Sequence, residues 1–280
     1  MLRRSFQHLP GIRQRAERKL WDSGIHNLQQ LRGYKPARAN SSEFERALSE
    51  SEAALEANDI AYFGRTVPAR ESWRIFREVH EHCAFIDIET TGVTRTADSV
   101  TCVAVATRRG VRTFIKDRNL EEFPEAIRDV PMIVTFNGNA FDLPFLKQTF
   151  GSDIFNHHAH YDVCVALRRI GLGGGLKKIE KQLGVPREPG LEGVDGMFAV
   201  LLWKLYKNGD PRALATLERY CAEDVLGLPA LAAHAANELL KETPFVNELA
   251  PLPVPRRVEC YLPYSRMLIE ELQLLKQQTE

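Results

Sequence analysis

The chain of 280 residues has no excess of charge of either sign: 37 Lys+Arg stand against 37 Asp+Glu, a formal net charge of zero. As a sum, that balance argues against a protein that is basic throughout and grips nucleic acid by bulk charge. Cysteine is scarce. Cys83, Cys102, Cys164, Cys221 and Cys260 are odd in number, form no CxxC pair and sit among apolar residues. That pattern argues against a disulfide frame or a zinc site and for buried free thiols in a reducing cytoplasm. No apolar run reaches membrane-spanning length, since the best stretch, Val225 to Leu240, is interrupted by Gly227, Pro229, His234, Asn237 and Glu238. The Arg-rich start has no apolar segment of the kind a secretion signal needs, so the expected location is the cytoplasm, with no membrane partner. There is no internal repeat and no low-complexity tract. With 44% hydrophobic and 26% charged residues, the chain is neither disordered nor collagen-like. Its length allows one large domain or one domain with small appendages.

The charges are unevenly placed. Residues 1–38 hold nine Lys/Arg and two Asp/Glu, whereas residues 39–80, 81–240 and 241–280 are each mildly acidic. Leu9 to Leu31 reads as two short helices around Gly24. A helix from Ser42 to Asn58 follows, with Ser42 and Glu45 as its capping signal. From Ala84 the period changes: AFIDIE, VTCVAVATRRG and VRTFIKD are β-rich runs joined by turn residues, as in an antiparallel meander. A helix (Leu120 to Asp129), the strand MIVTF, a helix from about Ala140 and a strand ending near Asp162 come next. The pattern then turns helical through LKKIEKQLG, MFAVLLWKLYKNG and Pro211 to about Lys241, with a kink near Pro229. Three strands followed by alternating helices and strands indicate a mixed α/β sheet. Five prolines after Thr243 mark a surface segment, and a last helix starts near Ser265.

Phe85-Ile-Asp87-Ile-Glu89-Thr-Thr-Gly92 carries the most chemical information. Residues two apart on a strand share a face, so Asp87 and Glu89 point together while Ile86 and Ile88 enter a core. A bound divalent cation would offset the repulsion and desolvation of two such carboxylates. The competing reading is an edge strand with a solvated acidic face. In Asn137-Gly-Asn-Ala-Phe141-Asp142-Leu-Pro-Phe-Leu146, Asp142 falls in a first helical turn, where an Asp can also serve only the helix dipole. In Tyr220-Cys-Ala-Glu-Asp224, four-residue spacing stacks Tyr220 and Asp224 on one helix face.

Together, FIDIETTG, NxxxFDLPFL and YxxxD resemble the three exonuclease motifs of the DEDD superfamily, and the tyrosine is that of its DEDDy branch. The second motif is similar to that of the proofreading domain of family B DNA polymerases, and the chain as a whole looks most like the YprB-type RNase H-like exonucleases. The resemblance runs from Ala84 to Lys241. It implies an RNase H-like α/β fold, with three antiparallel strands and then parallel ones, over residues 81–243. That unit would follow a basic hairpin region (1–40) and a helical connector (41–80), and precede a Pro-rich segment with a C-terminal helix (244–280).

The resemblance also implies a two-metal 3′→5′ exonuclease acting on single-stranded ends, with DNA slightly favoured over RNA. Asp87 would bridge two ions roughly 4 Å apart, Glu89 and Asp224 would bind the ion that activates water, and Asp142 would support the other. Tyr220 would orient the water as a neutral phenol. Oxygen ligands favour Mg²⁺ or Mn²⁺. Thr90, Thr91, Asn137 and Phe141 would lie near the terminal nucleotide. Two other readings are a non-catalytic nucleic-acid binding module on the same fold and an RNase H-like endonuclease or resolvase.

Other features read more plainly. His157, His158, His160 and Asp162 suit a polar strand end better than a second metal site, with Asp162 a candidate supporting carboxylate. Gly171-Leu-Gly-Gly-Gly175 lacks the Lys-Ser/Thr of a phosphate loop and reads as a connection. Lys177, Lys178 and Lys181 read as a solvated helix face, with contact to the substrate backbone as the competing reading. The N-terminal LPGIRQRAERKLWDSGIHNLQQL resembles a helix–hairpin–helix motif, in which Gly11 and Ile12 open the hairpin. Backbone N–H groups of the next helix, with Arg13 and Arg15, would then meet a phosphate. Arg13 stands where a second glycine is usual, so a cap packed on the main domain competes with this reading, and the local positive charge favours backbone binding.

Overall fold

A computed structural model describes residues 1–191 and 193–277. At the N-terminus lie α1 (Gln14–Asp22), a 3₁₀ turn (Leu28–Leu31), α2 (Ser41–Ala57), α3 (Ile60–Thr66) and α4 (Trp73–Val79). The cap of α2 is Asn40, not Ser42: the Asn40 side chain accepts from the Ser42 backbone N–H, and Glu45 instead accepts from the Gly33 N–H. Phe6, Ile12, Leu20, Trp21, Phe44 and Leu48 pack with Phe245, which returns from the far end of the chain. Beneath them Glu17 is fully buried. It accepts from the Phe6 N–H, the Gln7 amide and both Nη atoms of Arg74 at 2.7–2.9 Å, which ties α1 to α4.

β1 (Cys83–Thr90) pairs antiparallel with β2 (Val100–Thr107), which pairs antiparallel with β3 (Gly110–Ile115). On its other side β1 pairs parallel with β4 (Met132–Thr135), and β4 pairs parallel with β5 (Ala159–Asp162). The order β3-β2-β1-β4-β5 puts β1 at the centre, so Asp87 and Glu89 do not lie on an edge strand. Alternation then divides the molecule. Ala84, Ile86 and Ile88 face one layer, made of α5 (Phe123–Ile127) and α6 (Asp142–Phe150) with Phe123, Phe145 and Leu146. Cys83, Phe85, Cys102 and Ala104 face the other layer. It contains α7 (Val163–Arg169), α8 (Leu176–Leu183), α9 (Gly196–Lys207), α10 (Pro211–Leu226) and α11 (Leu228–Leu240). Asp87 and Glu89 share this second face and point at α10.

The expected kink near Pro229 is a full break. α10 ends at Leu226 and α11 begins at Leu228, with Pro229 in its first turn, where a missing N–H costs nothing. Residues 244–265 then cross the surface without regular structure to α12 (Arg266–Gln277). Arg219 of α10 holds this strap through the carbonyls of Cys260 and Leu262, at 2.7 and 3.0 Å. The described cysteines are all free, and four of the five are buried. Among the described residues no helix is long and apolar enough to cross a membrane.

Candidate active site

Three elements converge at the C-terminal end of β1. The strand presents Asp87 opposite Ala104 and Glu89 opposite Cys102 of β2, so only small side chains flank the two carboxylates. The register then shifts between Glu89 and Thr90, a bulge that ends regular pairing at the site. The Thr90 hydroxyl donates to the Gly92 carbonyl, and the Thr91 hydroxyl to Asp98 at 2.9 Å. Both threonines therefore shape the loop that follows the acids.

Asp142 arrives from the β4 side. Asn137 adopts a left-handed conformation (φ +63°), and Gly138 lies so close to Thr135 that an added Cβ would come within 2.1 Å of its hydroxyl. Asp162 accepts from the backbone N–H groups of Asn137 (2.8 Å) and Asn139 (3.3 Å). It also caps α7 through the Cys164 N–H. The supporting carboxylate expected at Asp162 thus acts by fixing the turn that carries Asp142 to the site. Phe141 stacks on Phe145 at 5.0 Å, which anchors the start of α6, while Asn137 is exposed.

α10 supplies Tyr220 and Asp224, which face the sheet. It buries nearly its whole circumference, because the strap covers the side bearing Arg219 and Glu223. Asp87 is half-buried, and Glu89, Asp142, Tyr220 and Asp224 are buried. Carboxylate oxygens of Asp87 and Glu89 and the Cys221 sulfur lie within 4.8 Å of one another. Asp142 and Asp224 add charge from just outside that group.

The electrostatics follow from this crowding. Burial, with the charges of Asp224, Asp142 and Glu89 added, holds the Asp87 carboxyl well above the usual carboxylate range. Burial and then Asp224 do the same to Glu89, with Lys177 opposing. Asp142 is pushed up to about 7, chiefly by burial, although its own N–H and that of Ile88 pull it down. Four acids that resist ionising together, offering oxygen donors, fit a hard divalent cation, which would favour the charged form of each. Cys221 does not fit as a ligand: burial and the neighbouring Cys102 hold its thiol protonated, and metal binding needs the thiolate.

Lys177 does not belong to a solvated face but lies in the site. Its Nζ donates to the Tyr220 hydroxyl at 2.9 Å and to the Val194 carbonyl. Arg187, which carries no sequence signal because it sits in a short aperiodic loop, pairs with Asp224 and with buried Glu180. Lys177, Lys181 and Arg187, together with Glu188, line a groove of about 390 Å³, and Lys177 and Arg187 also contact Tyr220 and Asp224. The three histidines do not converge: His160 pairs with Thr135 at 2.8 Å and His158 with the Ile127 carbonyl at 2.9 Å. Gly171–Gly175 forms the turn between α7 and α8, with positive φ at Gly171, Gly174 and Gly175.

At the N-terminus, Ile12 is a core residue, and Gly11 (φ +78°) packs against Pro36 and Ala39. Arg13 and Arg15 are exposed at the start of α1. A three-residue 3₁₀ turn, Leu2–Arg4, lies before them.

No curated protein matches the chain. Among solved structures, it is similar to the family B DNA polymerase of the hyperthermophilic archaeon Pyrobaculum calidifontis, at 19% identity and a TM-score of 0.44. That match covers 57% of this chain and 24% of the polymerase, so the chain spans about a quarter of that protein. It is also similar to Brucella melitensis NrnC with bound Mg²⁺, at 20% identity and a TM-score of 0.41, over 60% of this chain and 78% of the other. Residues 84–236, which hold all of the sheet but its first residue, Cys83, and all five converging side chains, match the RNase H superfamily, and the chain belongs to that superfamily.

Proposed function

We propose that the chain is a metal-dependent 3′→5′ exonuclease that hydrolyses phosphodiester bonds at single-stranded ends, with DNA slightly favoured over RNA. The observation that carries this reading is the convergence of Asp87, Glu89, Asp142 and Asp224 with Tyr220 at one end of the central strand. These four acids would hold the metal. Mg²⁺ or Mn²⁺, as a pair of ions, would supply charge neutralisation and an activated water at neutral pH.

The protein's own groups do the rest. Burial and the adjacent acids hold Tyr220 protonated, so it serves as a donor and not as a base. Its oxygen already accepts from Lys177, which leaves the O–H free to orient a water or a phosphate oxygen. The groove cations Lys177, Lys181 and Arg187 suit a phosphodiester backbone entering from that side. Thr90, Thr91, Asn137 and Phe141, on the two loops bordering the acids, are proposed to contact the terminal nucleotide. The exposed Arg13 and Arg15 beside Gly11 and Ile12 are proposed to add backbone contacts at the N-terminus. On this reading, the zero net charge conceals a basic N-terminal region and an acidic core whose acids await cations.

The test is a digestion panel of end-labelled linear DNA and RNA, single- and double-stranded, with circular single strands, in Mg²⁺ or Mn²⁺. Shortening of linear strands from the 3′ end, absent in chelator and in Asp87→Ala, is expected. Linear strands left intact in both metals overturn the reading. Cleavage of circles identifies an endonuclease, and metal-independent binding without cleavage identifies a binding module.

A further inference from the structure

Arg187 joins two acids of different standing. One Nη donates to Glu180 Oε2 at 2.6 Å and the other to Asp224 Oδ1. The side chain is 15% exposed, while that of Glu180 is 1% exposed. Glu180 is absent from the exonuclease-like motifs and belongs to α8, not to the strand or helix that carries the converging acids. Its second oxygen, Oε1, is buried without a hydrogen-bond partner. This oxygen lies over Gly227, where an added Cβ would come within 2.1 Å of it, so the α10–α11 break makes room for the acid.

A buried carboxylate oxygen with no partner is unfavourable, and a guanidinium presents parallel N–H groups that match both oxygens of one carboxylate. For Arg187 this chemistry offers two arrangements. The guanidinium can be shared between Asp224 and Glu180, as observed, or be forked onto both oxygens of Glu180. The second arrangement satisfies Oε1 and releases Asp224.

We propose that Arg187 is a resident counter-cation of Asp224 that competes with divalent metal, and that Glu180 is the acid that retains the guanidinium when the metal takes Asp224. The proposal rests on the metal-site reading above. It gives the site two states that differ in which cation balances Asp224. In one, Arg187 balances Asp224; in the other, the metal does so and Arg187 stays in the groove beside Lys177 and Lys181, where it adds positive charge for phosphate.

The test is Mn²⁺ binding to the full chain by isothermal titration calorimetry, without nucleic acid. It compares the native protein with Arg187→Gln, Arg187→Lys, Glu180→Gln and Asp87→Ala, each checked for cooperative melting by circular dichroism. Arg187→Gln should bind Mn²⁺ about tenfold more tightly, the factor expected from one charge-assisted hydrogen bond, and Arg187→Lys should stay near the native affinity. Glu180→Gln should bind more weakly, because an amide no longer holds the displaced guanidinium. A residue that merely supported the fold would weaken binding in both the Arg187→Gln and Glu180→Gln variants, so the opposite signs are diagnostic. If Glu180→Gln does not melt cooperatively, the two Arg187 variants decide the matter. Equal or weaker binding by Arg187→Gln, with binding still reduced in Asp87→Ala, overturns the proposal alone. Native affinity in Asp87→Ala overturns the metal-site reading itself.

Discussion

Lys177 Nζ lies 2.9 Å from the Tyr220 hydroxyl oxygen and 4.6 Å from the centroid of its ring, so the ammonium fixes both the phenol and the direction of its free O–H. The two residues come from α8 and α10, 43 positions apart. Tyr220→Phe should lower kcat for phosphodiester hydrolysis by about tenfold to a hundredfold with KM little changed, because the group that orients the reacting oxygen is lost. Lys177→Met should lower kcat by about tenfold through the same hydroxyl. Steady-state kinetics on a labelled oligonucleotide separates the two roles of Lys177: loss of the Tyr220 contact lowers kcat, whereas loss of backbone grip alone would raise KM and leave kcat.

Asp87→Asn should abolish hydrolysis and yet stabilise the metal-free protein. The native carboxyl is held well above the usual range by burial and by Asp224, Asp142 and Glu89, so ionising it at neutral pH opposes folding. In chelator at pH 7.5 the melting temperature should rise by about 2–4 °C, the shift that about 1 kcal/mol produces in a chain of this size. An unchanged or lowered melting temperature would mean that the acids are not in mutual repulsion.

Asp142 sets a pH dependence of known sign. Its folded-state value of about 7 lies above the ordinary 3.8. The stabilisation from its protonated form is therefore full at low pH and is lost as pH rises through about 7. In chelator, the stability advantage of Asp142→Asn over the native chain should grow between about pH 4 and pH 7 and then level off. His8 and His160, both lowered to about 4 mainly by burial, act in the opposite direction and are present in both proteins. Urea midpoints across this range check the trend, and an advantage that shrinks with rising pH contradicts it.

Glu17→Gln tests how firmly the N-terminal helices are joined to the rest. The carboxylate is buried and forms a two-bond fork with Arg74, so neutralising it leaves the buried guanidinium with Glu71, 2.8 Å away, as its remaining charge partner. A loss of about 2 kcal/mol is expected in denaturant unfolding, below the ~3–5 kcal/mol of a buried charge left with no partner. Hydrolysis measured well below the melting temperature should stay near the native rate, because no contact of Glu17 reaches the acids of the sheet.

The strands were legible because FIDIET, VTCVAVAT and MIVT combine alternation with β-branched residues, and antiparallel or parallel pairing followed from the spacing between them. The three acidic segments were legible for the same reason: each carries its chemistry in a local pattern. Sequence alone does not separate Asn40 from Ser42 as the cap of α2, because both are good caps by type and only backbone geometry chooses between them. Lys177 looked like any exposed lysine, since helical periodicity does not record that α8 packs across the hydroxyl end of Tyr220.

The sequence by itself determined the alternation on β1, the four-residue spacing on α10 and the charge segregation, all properties of neighbours along the chain. Only the tertiary structure decided that Asp142 reaches those acids through a turn held by Asp162, and that Glu180 and Arg187 stand behind Asp224. The physical reason is range. Periodicity is set by bonds between adjacent residues, whereas a buried charge acquires its partners from whichever elements the core brings against it. Here those partners come from three helices and two strands that no local pattern connects.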